Sequence, residues 1–177
     1  MKVDARSTEY LTQDERQSII SVCIAAHDND AFNNLFTYIP SGGRHFLGYE
    51  DEELVSHAVV TTRWLQIADG PLLKTAFVDA VATHPAQQGR GHASAVMRRL
   101  GESIDDYEIG CLQTDKPRFY ERMGWELWRG SLSGRSDDGL IPTPEQRGVM
   151  VLRLLHTPSL DLDARLSIEV QPARIWE

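Results

Sequence analysis

The chain has 177 residues, a formal net charge of −8, and 41% hydrophobic against 25% charged residues. That length and balance describe an ordinary globular protein, predicted to fold as one domain over 1–177 with a core of its own. The acidic balance disfavours nucleic acid and anionic membrane as partners and suits a cationic substrate, although it also serves solubility.

Only Cys23 and Cys111 are present, with no metal-ligand spacing, so a reduced cytoplasmic setting and no metal site are expected. No apolar run approaches the roughly 20 residues that span a bilayer, and no secretory leader pattern opens the chain. Thr12-Gln13-Asp14-Glu15 has the form of a capping box. It predicts a helix with Ile19, Ile20, Cys23 and Ile24 on its apolar side, ending near His27. Phe32, Leu35 and Phe36 predict a second short helix before Pro40, broken by Ser41-Gly42-Gly43.

Strands are predicted at Arg44–Tyr49, Leu54–Ile67 and Leu72–Thr83, separated by an acidic turn and by Ala68-Asp69-Gly70-Pro71. Together they read as an antiparallel meander of about three strands. Further on, Glu108–Leu112, Trp125–Arg129 and Val149–Leu155 read as strands. Pro117–Met123 reads as a short helix with proline in its first turn. Leu132–Arg147 is rich in Gly, Ser, Asp and Pro and is expected to be a long loop.

The stretch 77–104 organises the rest. A strand ends at His84-Pro85, a polar loop with two glycines follows, and Ala93, Val96, Leu100 and Ile104 form one helical stripe. A helix start behind glycines offers bare backbone N–H groups and a favourable dipole, a natural seat for phosphate. A nucleotide-hydrolase loop would need Lys-Ser/Thr after its glycines, and Gly91 is followed by His92-Ala93, which excludes it. The dinucleotide fingerprint is nearer, but Pro85-Ala86-Gln87-Gln88 separates glycines from strand, and Cys111 closes the next strand where an acid is expected. A surface turn capping a helix is the plain alternative.

Gln88-Gly89-Arg90-Gly91-His92-Ala93 matches Gln/Arg-x-x-G-x-Gly/Ala, and Val81-Ala82-Thr83-His84-Pro85 precedes it as a V-x-P-like strand end. These residues resemble the acetyl-CoA loop of the GNAT (GCN5-related) N-acetyltransferase superfamily. Phe119-Tyr120-Glu121-Arg122-Met123-Gly124-Trp125 resembles that family's second-half motif F-Y-x-x-x-G-F/W, in the right order and separation. The resemblance implies an α+β fold with a mixed, mostly antiparallel central sheet flanked by helices. It also implies acetyl-CoA as co-substrate, held by the backbone of Gly89, Arg90, Gly91, His92 and Ala93 with Gln88, and by the Val81 backbone, which pairs with the pantetheine arm like an extra strand and helps polarise the acetyl carbonyl.

Transfer from a thioester to an amine needs a held coenzyme, a neutral amine, a polarised carbonyl and a proton for the departing thiolate. The resemblance gives the last role to Tyr120, whose phenol, with a reference pKa of about 10, stays protonated at neutral pH. Asp79, two residues before Val81 and so expected on the same face of the strand, is read as the base acting through water. A core tyrosine and an outward or ion-paired aspartate are the alternatives. His84 and His92 flank the loop and read more simply as loop histidines.

Ser41-Gly42-Gly43-Arg44-His45, the strand pair 54–60 and 77–82, Gly124-Trp125-Glu126-Leu127-Trp128 and a tail ending in Trp176 resemble the aminoglycoside 2'-N-acetyltransferases. That subfamily recognises polycationic sugars through acidic side chains and a C-terminal tryptophan carboxylate. The implied substrate contacts are Asp30 (or Asp28 beside it), Asp79, Glu145, Trp176 and Glu177, with a tail aromatic packed on the sheet as the alternative for Trp176. The tail departs from the pattern, with Arg174 where an acid is expected and Glu177 beyond Trp176. A polyamine, amino acid or peptide acceptor therefore stays open, as does a non-catalytic module that binds CoA or a cationic ligand. The expected partner is a small-molecule amine, with no nucleic acid and no membrane; a homodimer is compatible with the resemblance.

Overall fold

The computed structural model describes residues 1–39, 42–172 and 174–176. Pro40 and Ser41, which the sequence reading uses to end the second helix, lie outside the described residues. Contacts divide the chain into two compact units, 1–61 with 78–104 and 62–77 with 105–177. Two long strands, β3 (Glu53–Ile67) and β4 (Leu72–Thr83), contribute residues to both.

The first unit also holds β1 (Lys2–Ser7), α1 (Gln13–His27), α2 (Leu35–Tyr38), β2 (Arg44–Glu50) and α3 (His92–Gly101). β1 pairs antiparallel with β2, and β2 with β3. α1 begins where the capping box predicts: Thr12 Oγ1 accepts from Glu15 N–H at 3.1 Å, and Glu15 Oε2 accepts from Thr12 N–H at 2.8 Å. Two of the N–H groups a helix start leaves unpaired are thereby satisfied. Thr12→Ala is expected to lower stability by about 1 kcal/mol, read by urea unfolding. α1 ends at His27, with Asp28 left-handed at φ 49°. Ile19, Val22, Cys23, Leu35, Leu47 and Ala82 share one buried cluster.

The second unit holds β5 (Ile109–Gln113), α4 (Pro117–Glu121), β6 (Glu126–Leu127), β7 (Leu132–Ser136), β8 (Gly139–Pro142), β9 (Val149–Arg153) and β10 (Leu166–Glu169). With the remaining parts of β3 and β4, the strand order is β6-β9-β5-β4-β3-β10-β7-β8. β10 runs parallel to β7, whereas β5 and β6 run antiparallel to β9, β7 to β8, and β10 to β3. The α+β class and the mixed, mostly antiparallel sheet are as expected. Leu65, Phe77, Ile109, Cys111, Trp128 and Leu166 lie in its buried cluster. The Arg63 side chain is enclosed there, its Nε donating to Glu169 Oε1 at 2.9 Å, which offsets the desolvation of a buried charge.

Four strands differ from expectation. The stretch 132–147, expected as a loop, contains the β7–β8 hairpin, with Ser133 opposite Pro142. Every residue of β8 is exposed, so no apolar alternation marks it. β1 carries no apolar alternation either, and forms by pairing with the buried β2. β10 supplies only four residues, too few for a periodic signal.

Candidate active site

The loop after β4 has the features of an anion cradle. Gly89 and Gly91 are left-handed, at φ 76° and 82°, and a Cβ built on either meets no protein atom within 4 Å. A short turn, Pro85–Gln87, closes with Gln87 N–H on His84 O and Gln88 N–H on Pro85 O. Beyond it, among the described residues, the N–H groups of residues 89–94 meet no acceptor within the protein. The first intrahelical bond of α3 is Ala95 N–H to Gly91 O at 3.0 Å. The unpartnered donors thus lie at the helix start, where the peptide dipoles favour negative charge. Gln88, expected to help hold the coenzyme, has its side-chain amide on Thr83 O at 3.2 Å. His92 is buried, with Nδ1 4.0 Å from Glu50 Oε2, so its contribution to the cradle is its backbone.

Upstream, the central strand breaks its own pleat. Ala80 is left-handed, at φ 47°, inside β4. The alternation that places Asp79 and Val81 on one face therefore lapses, and that part of the expectation is corrected. The half-buried Asp79 turns back, with Oδ1 accepting from Ala80 N–H at 2.8 Å.

Histidines meet two successive carbonyls at this break. His57 Nδ1 lies 2.9 Å from Ala80 O, and His27 Nε2 lies 3.1 Å from Val81 O. A carbonyl can only accept, so each of those nitrogens carries the hydrogen. His57 Nε2 then accepts from His45 Nδ1 at 3.0 Å, which leaves His45 Nε2 facing Thr8 Oγ1 at 3.1 Å. Both rings are fully buried. Burial, and then the neighbouring His57 and Arg16, bring His45 down to about 2. Burial lowers His57 to about 4, opposed by the Ala80 bond and by Asp79. Both imidazoles are therefore neutral at pH 7. Cys23 Sγ lies 3.9 Å from His57 Nδ1 and from Ala80 O, and burial, with Asp79 adding to it, pushes its thiol up to about 12.

Val81 O and Thr83 O are alternate carbonyls of one strand, and both are met by side chains, those of His27 and Gln88. They mark an edge of β4 in the first unit that leads into the glycine loop. His27 was not singled out from the sequence. It is a polar residue at a helix end, and its contact with Val81 spans 54 positions.

In the second unit, Tyr120 lies on α4, 7% exposed, edge-on to Phe119 and Trp125 at ring distances of 4.9 and 6.1 Å. Its carbonyl accepts from Met123 N–H at 2.8 Å and Trp125 N–H at 3.2 Å, closing the helix before the left-handed Gly124. Burial, and then Asp115, raise the phenol above its ordinary range, so its proton is retained throughout neutral pH.

The expected substrate contacts fall in both units. Asp30 is exposed at the start of a short turn after α1, and Glu145 is exposed between β8 and β9. Trp176 differs from expectation: its indole is 1% exposed, lies in the second unit's core, and donates Nε1–H to Thr143 Oγ1 at 3.1 Å. It serves there as packing. Glu177 lies outside the described residues. Among those described, no group of three or more His, Cys, Asp or Glu is placed to hold a metal ion, and no helix is long and apolar enough to cross a membrane.

Residues 8–128 match the family model described as "Acetyltransferase (GNAT) domain". The chain belongs to the GNAT family and is an N-acetyltransferase. It is 29% identical over 175 residues to an aminoglycoside 2'-N-acetyltransferase of Mycolicibacterium fortuitum, covering 96% of this chain and 89% of that one. Among solved structures it resembles the GNAT family N-acetyltransferase YhbS of Escherichia coli in complex with CoA. That match has a TM-score of 0.62 at 14% identity, over 97% of this chain and 91% of that one. It also resembles Eis1 of Mycobacterium abscessus, with a TM-score of 0.61 at 21% identity over 73% of this chain; the match spans 33% of that protein.

Proposed function

We propose that the whole chain acts as one catalytic domain that moves an acetyl group from acetyl-CoA to a primary amine of a small cationic molecule. The 2'-amine of an aminoglycoside is the leading acceptor. The observation that carries the reading is the run of unpartnered N–H groups at residues 89–94, behind two left-handed glycines at the start of α3. Those amides, with Arg90, fit a diphosphate, and the Val81 backbone fits an extended arm that ends in the thioester. Tyr120 supplies the proton to the departing thiolate, a role its retained phenol hydrogen suits. The aminoglycoside reading draws on the 29% identical relative and on the exposed acids Asp30 and Glu145. Arg174, where an acid was expected, favours testing polyamines, amino acids and peptides beside it. Neither nucleic acid nor membrane is proposed as a partner; a reduced cytoplasmic setting and self-association as a homodimer belong to the same reading.

The test follows free thiol and product mass from acetyl-CoA across that panel. Tyr120→Phe is expected to lower kcat by about 10²–10⁴-fold while leaving the Kd for CoA within about threefold. Loss of CoA binding instead would make Tyr120 structural. Tight CoA binding with no thiol released with any amine would favour a binding module.

A further inference from the structure

We propose that His27 is the base that takes the proton from the incoming ammonium, a role the sequence alone gives to Asp79. The inference rests on the acetyltransferase reading above and assigns a further residue to the same site. His27 is exposed at the last position of α1. Two contacts fix its ring: Nε2–H donates to Val81 O at 3.1 Å, and Phe32 stacks on it with centroids 5.0 Å apart and planes 24° from parallel. Because Val81 O takes the Nε2 hydrogen, the neutral ring carries its basic lone pair on Nδ1. A base whose tautomer is set by an acceptor on its far nitrogen is the arrangement that makes histidine effective in proton transfer.

The position suits the role as well as the tautomer. In an extended strand the N–H and C=O of one residue face the same neighbour, so the ring bound to Val81 O stands on the side to which Val81 N–H points. That N–H is the donor proposed to polarise the acetyl carbonyl. Asp79 is less suited, since one carboxylate oxygen is occupied by Ala80 N–H and its charge acts on the buried Cys23 and His57. The titratable residues nearest His27 along the chain are Cys23 one turn earlier on α1 and Asp28 and Asp30 just after it, and Asp79 precedes its partner Val81 by two residues on β4.

His27 Nδ1 accepts one proton from the ammonium, the freed nitrogen pair forms a bond to the acetyl carbon, and the carbon–sulfur bond breaks. The sulfur takes the proton of Tyr120, which regains one from the new amide nitrogen, and His27 releases its proton to water.

His27→Gln keeps an amide donor for Val81 O and removes the base. Its kcat/KM for the amine at pH 7 is expected to fall about 10²–10⁴-fold. The KM for acetyl-CoA should stay within about threefold, and the acidic limb of the pH–rate profile should disappear. Asp79→Asn should lower the rate but keep that limb. An unchanged acidic limb in His27→Gln, or its loss only in Asp79→Asn, overturns the assignment and leaves the enzyme reading standing. Nitrogen-15 NMR of the imidazole provides a readout without turnover: the Nε2–H tautomer is expected at neutral pH, and the Nδ1–H tautomer overturns the proposal. No thiol release by the unaltered chain with any amine would overturn the enzyme reading and this assignment together.

Discussion

Gly91→Val is expected to weaken CoA binding at least about 100-fold, with a melting temperature only a few degrees lower. Gly91 caps α3 in the left-handed region at φ 82°, and a Cβ there meets no protein atom within 4 Å. The substitution therefore creates no clash with the chain. Its effect is conformational: a β-branched residue held left-handed costs roughly 1–3 kcal/mol, and relaxing it rotates the peptide planes on either side. Those planes carry N–H groups of the unpartnered run at residues 89–94. A charge-assisted hydrogen bond contributes about 1.5–3 kcal/mol, so misdirecting one or two amides accounts for 100-fold. Calorimetric titration with CoA measures this, beside a thermal melt. Gly101→Ala, at the other end of α3 and also facing open space, is the control and should bind CoA normally. Undiminished affinity in Gly91→Val would show that the diphosphate sits elsewhere.

Acidification alone, from pH 6.5 to pH 5, is expected to remove roughly 2–4 kcal/mol of stability. The cause is the buried pair of His45 and His57, held down to about 2 and about 4 while their ordinary value is 6.5. Above pH 6.5 both rings are neutral whether the chain is folded or not, and they give stability no pH dependence. Below it the unfolded chain binds protons that the folded chain refuses, so the stability falls as pH falls. Each such group gives up about 1.4 kcal/mol per pH unit until its folded value is reached. The window lies above the range in which ordinary carboxylates titrate, which keeps the histidine contribution separable. Urea unfolding at pH 7.5, 6.5 and 5.0 reads it directly. A loss below about 0.5 kcal/mol across the window would mean that the pair accepts a proton within the fold.

Local chemistry was legible in the sequence wherever a signal is carried by neighbours in the chain. The capping box fixed the start of α1 because Thr12 and Glu15 act three residues apart. The glycine loop was legible for a related reason: left-handed backbone at 89 and 91 asks for glycine, and glycine stands there. The left-handed Ala80 was not legible, since the residue type carries no mark of its conformation and the alternation around it reads as an unbroken strand. His27 and His57 reach Ala80 and Val81 across 54 and 23 positions, which no periodicity encodes. Trp176 was misplaced because an aromatic near a chain end reads equally well as a ligand contact or as packing, and only the second unit's core decides. The exposed hairpin β7–β8 is held by pairing and by a turn, not by burial, and so escaped a reading built on hydrophobic pattern.

The side chains on Val81 O and Thr83 O have a consequence for self-association. A strand with unsatisfied main-chain groups is a template onto which another chain can add, and long bare margins of that kind seed aggregation. Imidazole and carboxamide gatekeepers occupy alternate acceptors here, so a passing peptide would have to displace both before it could add to the sheet. A slender ligand needs fewer main-chain partners and meets less obstruction. The margin can thus stay available to a small-molecule guest while remaining unattractive to a second polypeptide.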